Sequence, residues 1–428
     1  GGVGTAPACA LRSGWPVDMM QAPPLARARA GGVNRTGSHR TRSTVKITVD
    51  RGVMAEAVAW VARSLPSRPS VPILAGLLMR AEGNQVVMSS FDYETSAKIT
   101  IGAQVDESGE VLVSGKLLAE IAKSLPDRPV RLTAGASNVE LVCGSARFTL
   151  QLLPVEDYPN LPEMPAATGS VVSEDFARSV SQVVIAAGRD ELLPVFTGVR
   201  LEIDGDRLSL LATDRYRMAL KELTWNPATT GAEGAALVPA RVLGEAARSM
   251  SSGETVQLAL AGEGAGEGLI GFEGDGLNGT RQLTTRLLDG EFPKVRHLMD
   301  IKGNVVVRCN TAELIDSVKR VSLVAERNTS LRMAIDEDSI ALDAATGDQA
   351  QATEAVEAVI TRGGGDEVTA VGFNPHYLSD ALGALTQPYV QFSFTAPGKP
   401  CLVQGLPELD GEPDTDYRHV IMLMRLPG

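Results

Sequence analysis

The stretch SGKLLAEIAKSL at residues 114–125 is the first of three copies of one short amphipathic pattern. The pattern returns as PARVLGEAARSM at residues 239–250 and as NPHYLSDALGAL at residues 374–385. Leucine and other apolar residues recur at helical spacing, so each copy predicts a helix. One aligned column holds a cationic or ionisable side chain in every copy: Lys116, Arg241 and His376. Recurrence at this long spacing indicates tandem structural repeats.

A second helical pattern precedes each copy of the first. It reads DRGVMAEAVAWVARSL at residues 50–65, SEDFARSVSQVVIAAG at residues 173–188 and NTAELIDSVKRVSLVA at residues 310–325. Each segment opens on Asp, Ser or Asn, the residue types that cap helix N-termini through a side-chain oxygen. The first core position of these helices is apolar in every copy: Met54, Phe176 and Leu314. Each repeat is therefore predicted to contain an N-capped helix ahead of its shorter one.

Segments of alternating polarity lie between the two helices of each repeat and predict strands, as in QVVMSSFDYETSAKITI at residues 85–101. The predicted fold class is α+β, with three tandem copies of a domain of about 125 residues, each built from two helices plus antiparallel sheets. Clusters of Pro and Gly separate the units. The predicted boundaries are a disordered extension at 1–43 and domains at 44–167, 168–300 and 301–428.

The charge is distributed unevenly along the chain. The net charge is −12 at pH 7, but residues 1–43 hold six arginines and one acid, Asp18, which leaves −17 for the rest. The extension is rich in Gly, Ala, Pro and Arg, a composition typical of disorder or of a transit peptide, and we expect it to take no part in function. Nucleic-acid binders are usually basic, so the total charge alone argues against DNA as a ligand.

The four cysteines and four histidines are scattered along the chain without the spacing of a metal site. The sequence therefore predicts no metal and no cofactor. Cysteines that lie far apart are typical of reduced thiols, which favours a cytoplasmic localisation. The chain has no run of 18 or more apolar residues, so we expect no membrane contact.

Motifs of enzyme active sites are missing from the sequence. It has no phosphate-binding loop, zinc-protease motif, nucleophile elbow or Cys–His pairing, so we predict no catalytic residue and no enzymatic activity. Asp92 and Asp214 recur at the same place in two repeats, close to Tyr93 and Tyr216. We interpret these aspartates as part of a shared hairpin turn rather than as a catalytic carboxylate pair.

Five segments, taken in order, resemble a known family. They are RPSVPIL (68–74), ATDRYRMA (212–219), LLDGEFPKVR (287–296), GFNPHYL (372–378) and MLMRL (422–426). With them, residues 45–428 are similar to the bacterial DNA polymerase III beta subunit, the family of DNA sliding clamps. The resemblance implies a head-to-tail homodimer of six domain copies around a hole, double-stranded DNA threaded through it without sequence preference, and no catalysis. The alternative is a repeat-built protein-interaction scaffold that does not bind DNA.

The size of the repeat agrees with a ring of two chains. A domain of about 125 residues corresponds to a sphere of roughly 18 Å radius. Three such spheres in contact enclose a hole only about 6 Å wide, whereas six enclose about 36 Å, enough for a duplex of roughly 20 Å. By resemblance, apolar residues of the first and third repeats would meet between subunits, although they also suit a core: Phe148, Leu150, Leu323 and Val324.

Cations recur on the predicted helices although the chain is acidic. Lys116 and Lys123 are seven positions apart and share a helix face, and Arg241 and Arg248 repeat that arrangement. A cationic lining inside an acidic ring would attract phosphates without reading bases, although any single residue also suits a solvated helix face. The predicted DNA-binding residues, including two loop arginines taken from the resemblance, are Arg68, Lys116, Lys123, Arg178, Arg189, Arg241, Arg248, Lys319 and Arg320.

The resemblance also implies one groove, between the second and third repeats, that receives short linear motifs of partner proteins. The implied partners are the DNA polymerase III alpha subunit, the clamp loader, other polymerases and repair proteins. Methionines suit such a site because their flexible thioethers adapt to several ligands. The predicted walls, whose last strand also suits a core strand, are Phe196, Thr213, Arg215, Tyr216, Arg217, Met218, Pro293, His297, Leu298, Asn374, Tyr377, Gly398, Pro400, Val420, Met422, Leu423, Met424 and Arg425.

Two departures from the family pattern affect this groove. Leu423 stands where the family usually has proline, and Tyr216 stands where histidine is common. The hydroxyl of Thr213 and the guanidinium of Arg217 are expected to hydrogen-bond a peptide backbone. The preferred peptide motif therefore does not follow from the resemblance alone.

Overall fold

The computed structural model describes residues 45–261, 268–325, 329–346, 349–364 and 367–426. The predicted disordered extension at 1–43 lies outside these residues. In the described chain, no helix is both long and apolar enough to cross a membrane.

The first repeat contains two helices, α1 (Arg51–Ala62) and α2 (Gly115–Ser124), which pack on each other. Its strands are β1 (Lys46–Val49), β2 (Gly76–Glu82), β3 (Gln85–Phe91), β4 (Thr95–Gly102), β5 (Gln104–Glu107), β6 (Gly109–Ser114), β7 (Val130–Ala134), β8 (Asn138–Cys143) and β9 (Ala146–Gln151). Strands β5, β1, β7, β8 and β9 form one antiparallel sheet in that order, and β9 lies at its edge.

The second repeat has the same order of elements, with α3 (Ser173–Val184) and α4 (Ala240–Ser249) packed together. Its strands are β10 (Gly169–Val172), β11 (Gly198–Asp204), β12 (Arg207–Thr213), β13 (Arg217–Thr224), β14 (Asn226–Pro227), β15 (Glu233–Pro239), β16 (Thr255–Leu260), β17 (Leu269–Gly276) and β18 (Gly279–Arg286).

The third repeat again pairs two helices, α5 (Thr311–Val321) and α6 (Pro375–Gly383). Its strands are β19 (Val305–Asn310), β20 (Leu331–Ile335), β21 (Ser339–Thr346), β22 (Ala350–Arg362), β23 (Ala370–Phe373), β24 (Tyr389–Phe394), β25 (Cys401–Leu406) and β26 (Tyr417–Ile421). The threefold repetition and the α+β class predicted from the sequence are thereby confirmed.

Side-chain capping differs among the three leading helices. The carboxylate of Asp50 accepts a hydrogen bond from the Val53 amide, and the Asn310 side chain caps α5 in the same way. The expectation of a serine cap on α3 is wrong, because Ser173 is the first residue of that helix and Val172 occupies the capping position. Two acidic residues in the first turn of α3 complement the helix dipole instead.

Two sheets continue across the junctions between repeats. At the first junction, β18 of the second repeat pairs antiparallel with β4 of the first, with Thr285 opposite Thr95. At the second junction, β26 of the third repeat pairs with β13 of the second, with Ile421 opposite Arg217. At both junctions the last strand of one repeat thus pairs with the fourth strand of the repeat before it, and backbone hydrogen bonds hold the two domains together.

A buried polar contact lies behind each of these strand pairs. At the first junction, Arg281 on β18 forms an ion pair with Glu56 on α1 and donates to the Ser249 carbonyl at 2.5 Å. The equivalent residue on β26 is Tyr417, whose hydroxyl donates to the Gln182 carbonyl on α3 at 3.1 Å. Both contacts connect the last strand of one repeat to the first helix of the preceding repeat. They hold the helices of neighbouring repeats in register with the shared sheet.

His419 completes the contact at the second junction. The Tyr417 hydroxyl and His419 Nδ1 are 2.9 Å apart, and His419 is fully buried. Because that hydroxyl gives its proton to Gln182, His419 Nδ1–H must be the donor to Tyr417. Burial, and secondarily the positive charge of Arg217, lower the pKa of His419 from 6.5 to about 3. The imidazole is therefore neutral in the folded chain at neutral pH.

We expect the second junction to lose stability in mild acid. Below pH 6.5 His419 binds a proton in the unfolded chain but stays neutral in the folded chain. The free energy of unfolding therefore falls by about 2 kcal/mol between pH 7 and pH 5. The test is to measure the urea midpoint of the unmodified chain and of His419→Leu at both pH values. Leucine is chosen because Leu283 occupies the equivalent position in the second repeat. An equal loss of stability in the variant and in the unmodified chain would contradict the assignment.

Candidate functional site

The turn before β13 is the centre of the predicted groove. One carboxylate oxygen of Asp214 accepts hydrogen bonds from the amides of Tyr216 and Arg217, both at 3.0 Å. This closes a tight turn in which Arg215 has a φ of 80°, a left-handed conformation that disfavours side chains. Asp92 closes the same turn in the first repeat, with Tyr93 at a φ of 74°. The interpretation of both aspartates as a shared hairpin device is confirmed.

A cavity of about 550 Å³ opens beside this turn, at the second junction. Five residues predicted for the groove border it: Phe196, Arg215, Tyr216, Arg217 and Tyr377. Sequence reasoning did not predict its other lining residues, or assigned them elsewhere: Ala187, Gly188, Arg189, Asp190, Leu193, Asp214, His376 and Asp380. Asp380 could have been singled out from the sequence, because every repeat has an acidic residue at the same position of its second helix. Arg189, predicted to contact DNA, lies in the wall of this cavity.

Arg217 connects the two repeats at the cavity. Its guanidinium pairs with Asp214 at 3.0 Å in its own repeat and with Asp380 on α6 at 2.5 Å. It also lies over the Tyr377 ring, 4.4 Å from the centroid. Only 8% of Arg217 is exposed, and two of its donors are engaged with carboxylates. The main role of Arg217 in this structure is therefore to link the second and third repeats through its ion pairs.

Thr213 has a structural role as well. It is buried, and its hydroxyl donates to the Arg217 carbonyl at 2.8 Å while accepting from the Arg215 amide at 3.1 Å. Both hydrogen bonds stabilise the hairpin. The expected hydrogen bond from the Thr213 hydroxyl to a peptide backbone is therefore not available in this structure.

An apolar floor adjoins the turn. Met218 and Val420 face each other across the β13–β26 pair, and both are buried in a cluster with Phe292 and Leu402. Leu298 packs on the edge of this cluster. Pro293 and His297 instead line a separate cavity of about 360 Å³ on the neighbouring part of the sheet. The structure thus divides the predicted groove between two cavities joined by a buried floor.

The C-terminal segment follows the rim of the turn. The Met422 amide donates to the Tyr216 carbonyl, and the Met424 amide donates to the Gly372 carbonyl, each at 2.8 Å. Leu423 packs on the core of the third repeat, while Arg425 is exposed. Among the other predicted residues, Asn374 caps α6, and Gly398 adopts a left-handed φ of 72° in the loop that also contains Pro400.

All nine residues predicted to bind DNA are exposed: Arg68, Lys116, Lys123, Arg178, Arg189, Arg241, Arg248, Lys319 and Arg320. Four of them pair with carboxylates on or near their own helices: Arg178, Arg248, Lys319 and Arg320. In the described chain the other five have no such ion pair, so their charge is available to a ligand.

The four predicted interface residues have different surroundings. Leu150 is buried in the core, and Phe148 packs on it from the edge strand β9. Leu323 is 84% exposed in a short 3-10 turn after α5, and Val324 packs on the core of the third repeat.

Comparison with known proteins identifies the family. Models of the N-terminal, central and C-terminal domains of the DNA polymerase III beta subunit match residues 45–162, 170–294 and 297–425. The chain belongs to the DNA polymerase III beta subunit family. It is a DNA sliding clamp that acts in replication, and it is not an enzyme.

Individual sliding clamps are similar over nearly their whole length. The beta sliding clamp of Streptomyces coelicolor is 51% identical over 384 residues, which cover 90% of this chain and all of that protein. The Micrococcus luteus clamp is 46% identical over 312 residues, 73% of this chain and 98% of that protein. The crystal structure of the Caulobacter crescentus clamp superposes with a TM-score of 0.79 at 26% identity, covering 90% of this chain and all of that one.

Replacing Arg217 with alanine should destabilise the clamp by about 2–3 kcal/mol, because Asp214 and Asp380 would lose their shared cation in a half-buried site. Arg332→Ala provides a matched control, since Arg332 pairs with Asp343 on the partly exposed face of the β20–β21 pair and such pairs contribute about 0–1 kcal/mol. Chemical unfolding of both variants measures the difference. Equal effects would show that Arg217 is no more than a surface ion pair.

Proposed function

We propose that two copies of this clamp close head to tail into a ring around duplex DNA. The argument rests on the repeated strand pairing. Two of the three last strands, β18 and β26, pair with the corresponding strand of the preceding repeat, β4 and β13. The third such pair would join β9 of one chain to β22 of its partner. Within the described residues, β9 has a free edge, and so has the part of β22 at residues 350–357, which pairs only with β21.

Exposed apolar side chains support the same contact. On α2, Leu117 is 46% exposed, whereas Val242, at the equivalent position of α4, is 4% exposed because it lies at the first junction. Leu323 has the position after α5 that Arg63 has after α1, and Arg63 pairs across the first junction with Glu245. Leu117 and Leu323 would therefore face each other between subunits. Burial of both would favour association through the hydrophobic effect.

The ring would hold DNA by charge and by topology. The unpaired cations Arg68, Lys116, Lys123 and Arg241 lie on helices or adjoining loops of the first two repeats. Phosphate attraction of this kind is independent of sequence and is weakened by salt, so it permits sliding. Six domains of this size leave room for a duplex of roughly 20 Å.

The groove at the second junction would tether partners. An apolar floor beside an open cavity suits short peptide segments, and clefts between domains commonly bind ligands. We infer that the polymerase alpha subunit, the clamp loader, other polymerases and repair proteins present linear motifs to this groove. Because one chain has one such groove, the dimer would offer two.

Topological retention on DNA tests the ring. Clamp loaded by its clamp loader onto a nicked circular plasmid should remain bound in moderate salt and be lost when the plasmid is linearised. Leu323→Glu should give mostly monomers by light scattering at micromolar concentration and no retained clamp. Leu277→Glu, at an exposed hairpin tip, should behave as the unmodified chain. A monomeric unmodified chain, or equal retention on linear DNA, would favour a scaffold that does not encircle DNA.

Charge reversal tests the DNA contacts. Arg68→Glu should lower the number of clamps loaded per plasmid by about three- to tenfold, because an attraction to phosphate becomes a repulsion. Arg189→Glu should act in the same direction, provided that peptide binding in the neighbouring groove is measured and found unchanged. Arg131→Glu, on the exposed face of β7, is the control for net charge. Unchanged loading by both test variants with normal thermal unfolding would rule out these contacts.

A further inference from the structure

The geometry points to a carboxylate-binding subsite formed by Arg215 at the edge of the docking groove. We propose that this guanidinium selects partner segments that carry a carboxylate group at one position. The inference rests on the proposed docking function and specifies the chemistry of its ligand. It concerns a side chain that stands in the turn between β12 and β13 and borders the cavity of about 550 Å³.

Arg215 is held in place by aromatic rings. Its guanidinium carbon lies 5.7 Å from the centroid of Phe196 and 5.8 Å from that of Tyr216. A guanidinium over aromatic rings is attracted to them by the cation–π interaction, which does not use its N–H groups as hydrogen-bond donors to another side chain. Those groups match the two oxygens of a carboxylate.

Two backbone features fix this arrangement. The Gly188 amide donates to the Phe196 carbonyl at 2.7 Å, and a Cβ at Gly188 would stand 3.3 Å from that carbonyl oxygen, so the glycine lets the two segments approach closely. Arg215 itself occupies a left-handed φ of 80°. A conformation disfavoured for an arginine persists only where the surroundings enforce it, and such positions cluster at binding sites.

The charge of Arg215 is not used inside the described chain. No described carboxylate forms an ion pair with it, whereas the neighbouring Arg217 engages both Asp214 and Asp380. The remaining carboxylate of the cavity wall is Asp190, which accepts a hydrogen bond from the Leu192 amide at 3.0 Å. The three arginines and three aspartates of the cavity wall balance in charge, so the positive charge that Arg215 offers is local to its guanidinium.

A single carboxylate fits this site better than a nucleic acid does. Three aspartates border the cavity, and a chain of phosphates passing through it would be repelled by each of them. One carboxylate placed against the Arg215 guanidinium meets less of that repulsion than several phosphates do, because it brings a single negative charge to one point of the cavity. Aspartate or glutamate side chains and a free C-terminus share this chemistry, and the experiment separates them.

The comparison between repeats offers a matched control. Tyr93 has the same place in the first-repeat turn, with a φ of 74°, and packs edge-on against Phe91 at 5.5 Å. Replacing either residue with glycine removes a side chain from the same strained turn, and glycine accepts the left-handed conformation. Only the change at Arg215 removes a cation from the docking groove.

Fluorescence anisotropy with a peptide series provides the test. Each peptide contains a Gln-Leu-Xaa-Leu-Phe core, a linear motif of the type that the family resemblance implies. One Asp is moved through every position within and beside this core, and each peptide has a twin with Asn in place of Asp. A further pair differs only in a free or amidated C-terminus. We expect at least one carboxylate peptide to bind about five- to tenfold more tightly than its neutral twin, with the preference reduced at high salt.

The variants assign the preference to Arg215. Arg215→Gly should reduce the ratio of affinities between a carboxylate peptide and its neutral twin to below about twofold, and Tyr93→Gly should leave that ratio unchanged. Arg215→Lys should restore part of the preference, since lysine keeps the charge without the planar fork. A preference that persists in Arg215→Gly, or the absence of any preference in the unmodified clamp, overturns the inference while leaving the docking groove intact.

Two further outcomes distinguish a failure of the carboxylate subsite from a failure of the docking function. If no peptide of the series binds the unmodified clamp, the docking function itself fails. If Arg215→Gly leaves all peptide affinities unchanged but weakens binding of a short DNA duplex, Arg215 is a phosphate contact and the carboxylate subsite is wrong.

Discussion

Pairing of backbone strands across repeat junctions is the constraint from which the rest of this structure follows. A strand at the edge of a sheet presents unpaired N–H and C=O groups, which proteins either cover or pair. The last strand of the second repeat and that of the third repeat find their partners within the chain, at β4 and β13. The last strand of the first repeat, β9, finds none among the described residues. In the proposed ring, a second copy of the chain would supply the missing partner without any new kind of contact.

Side chains at the three equivalent junction positions differ although the backbone arrangement is shared. The equivalent residues are Arg281 on β18, Tyr417 on β26 and Ala146, the first residue of β9. Arg281 pairs with Glu56, and the Tyr417 hydroxyl donates to the Gln182 carbonyl, each in the preceding repeat. Ala146 is small, apolar and partly buried. In the proposed ring, a contact that opens for DNA to enter would be better served by such a residue, because its separation strands no buried charge.

The repeats, the fold class and the helices could be predicted because they depend on local periodicity, and this periodicity recurs in each repeat of the sequence. The start of α3 could not, since serine suits the capping position better than valine does, yet Ser173 is the buried first residue of the helix and Val172 precedes it. The partners of Arg217 were equally inaccessible. Asp380 lies 163 positions away along the chain, and only the pairing of β13 with β26 brings the two together. Sequence did not predict that residues proposed for the groove line two separate cavities.

The chemistry of the sheet floor distinguishes the proposed docking groove at the second junction from the cleft at the first junction. At the second junction, Met218 and Val420 form a buried apolar floor. The equivalent positions at the first junction are Ser96 and Thr284, whose hydroxyls bond each other at 2.5 Å. These residues line a cavity of about 850 Å³ together with the exposed Lys98. Water satisfies such a floor at little cost, so an apolar peptide gains little by displacing it. Duplication produced two clefts with one backbone, and a few side-chain differences make only the second suited to apolar anchors.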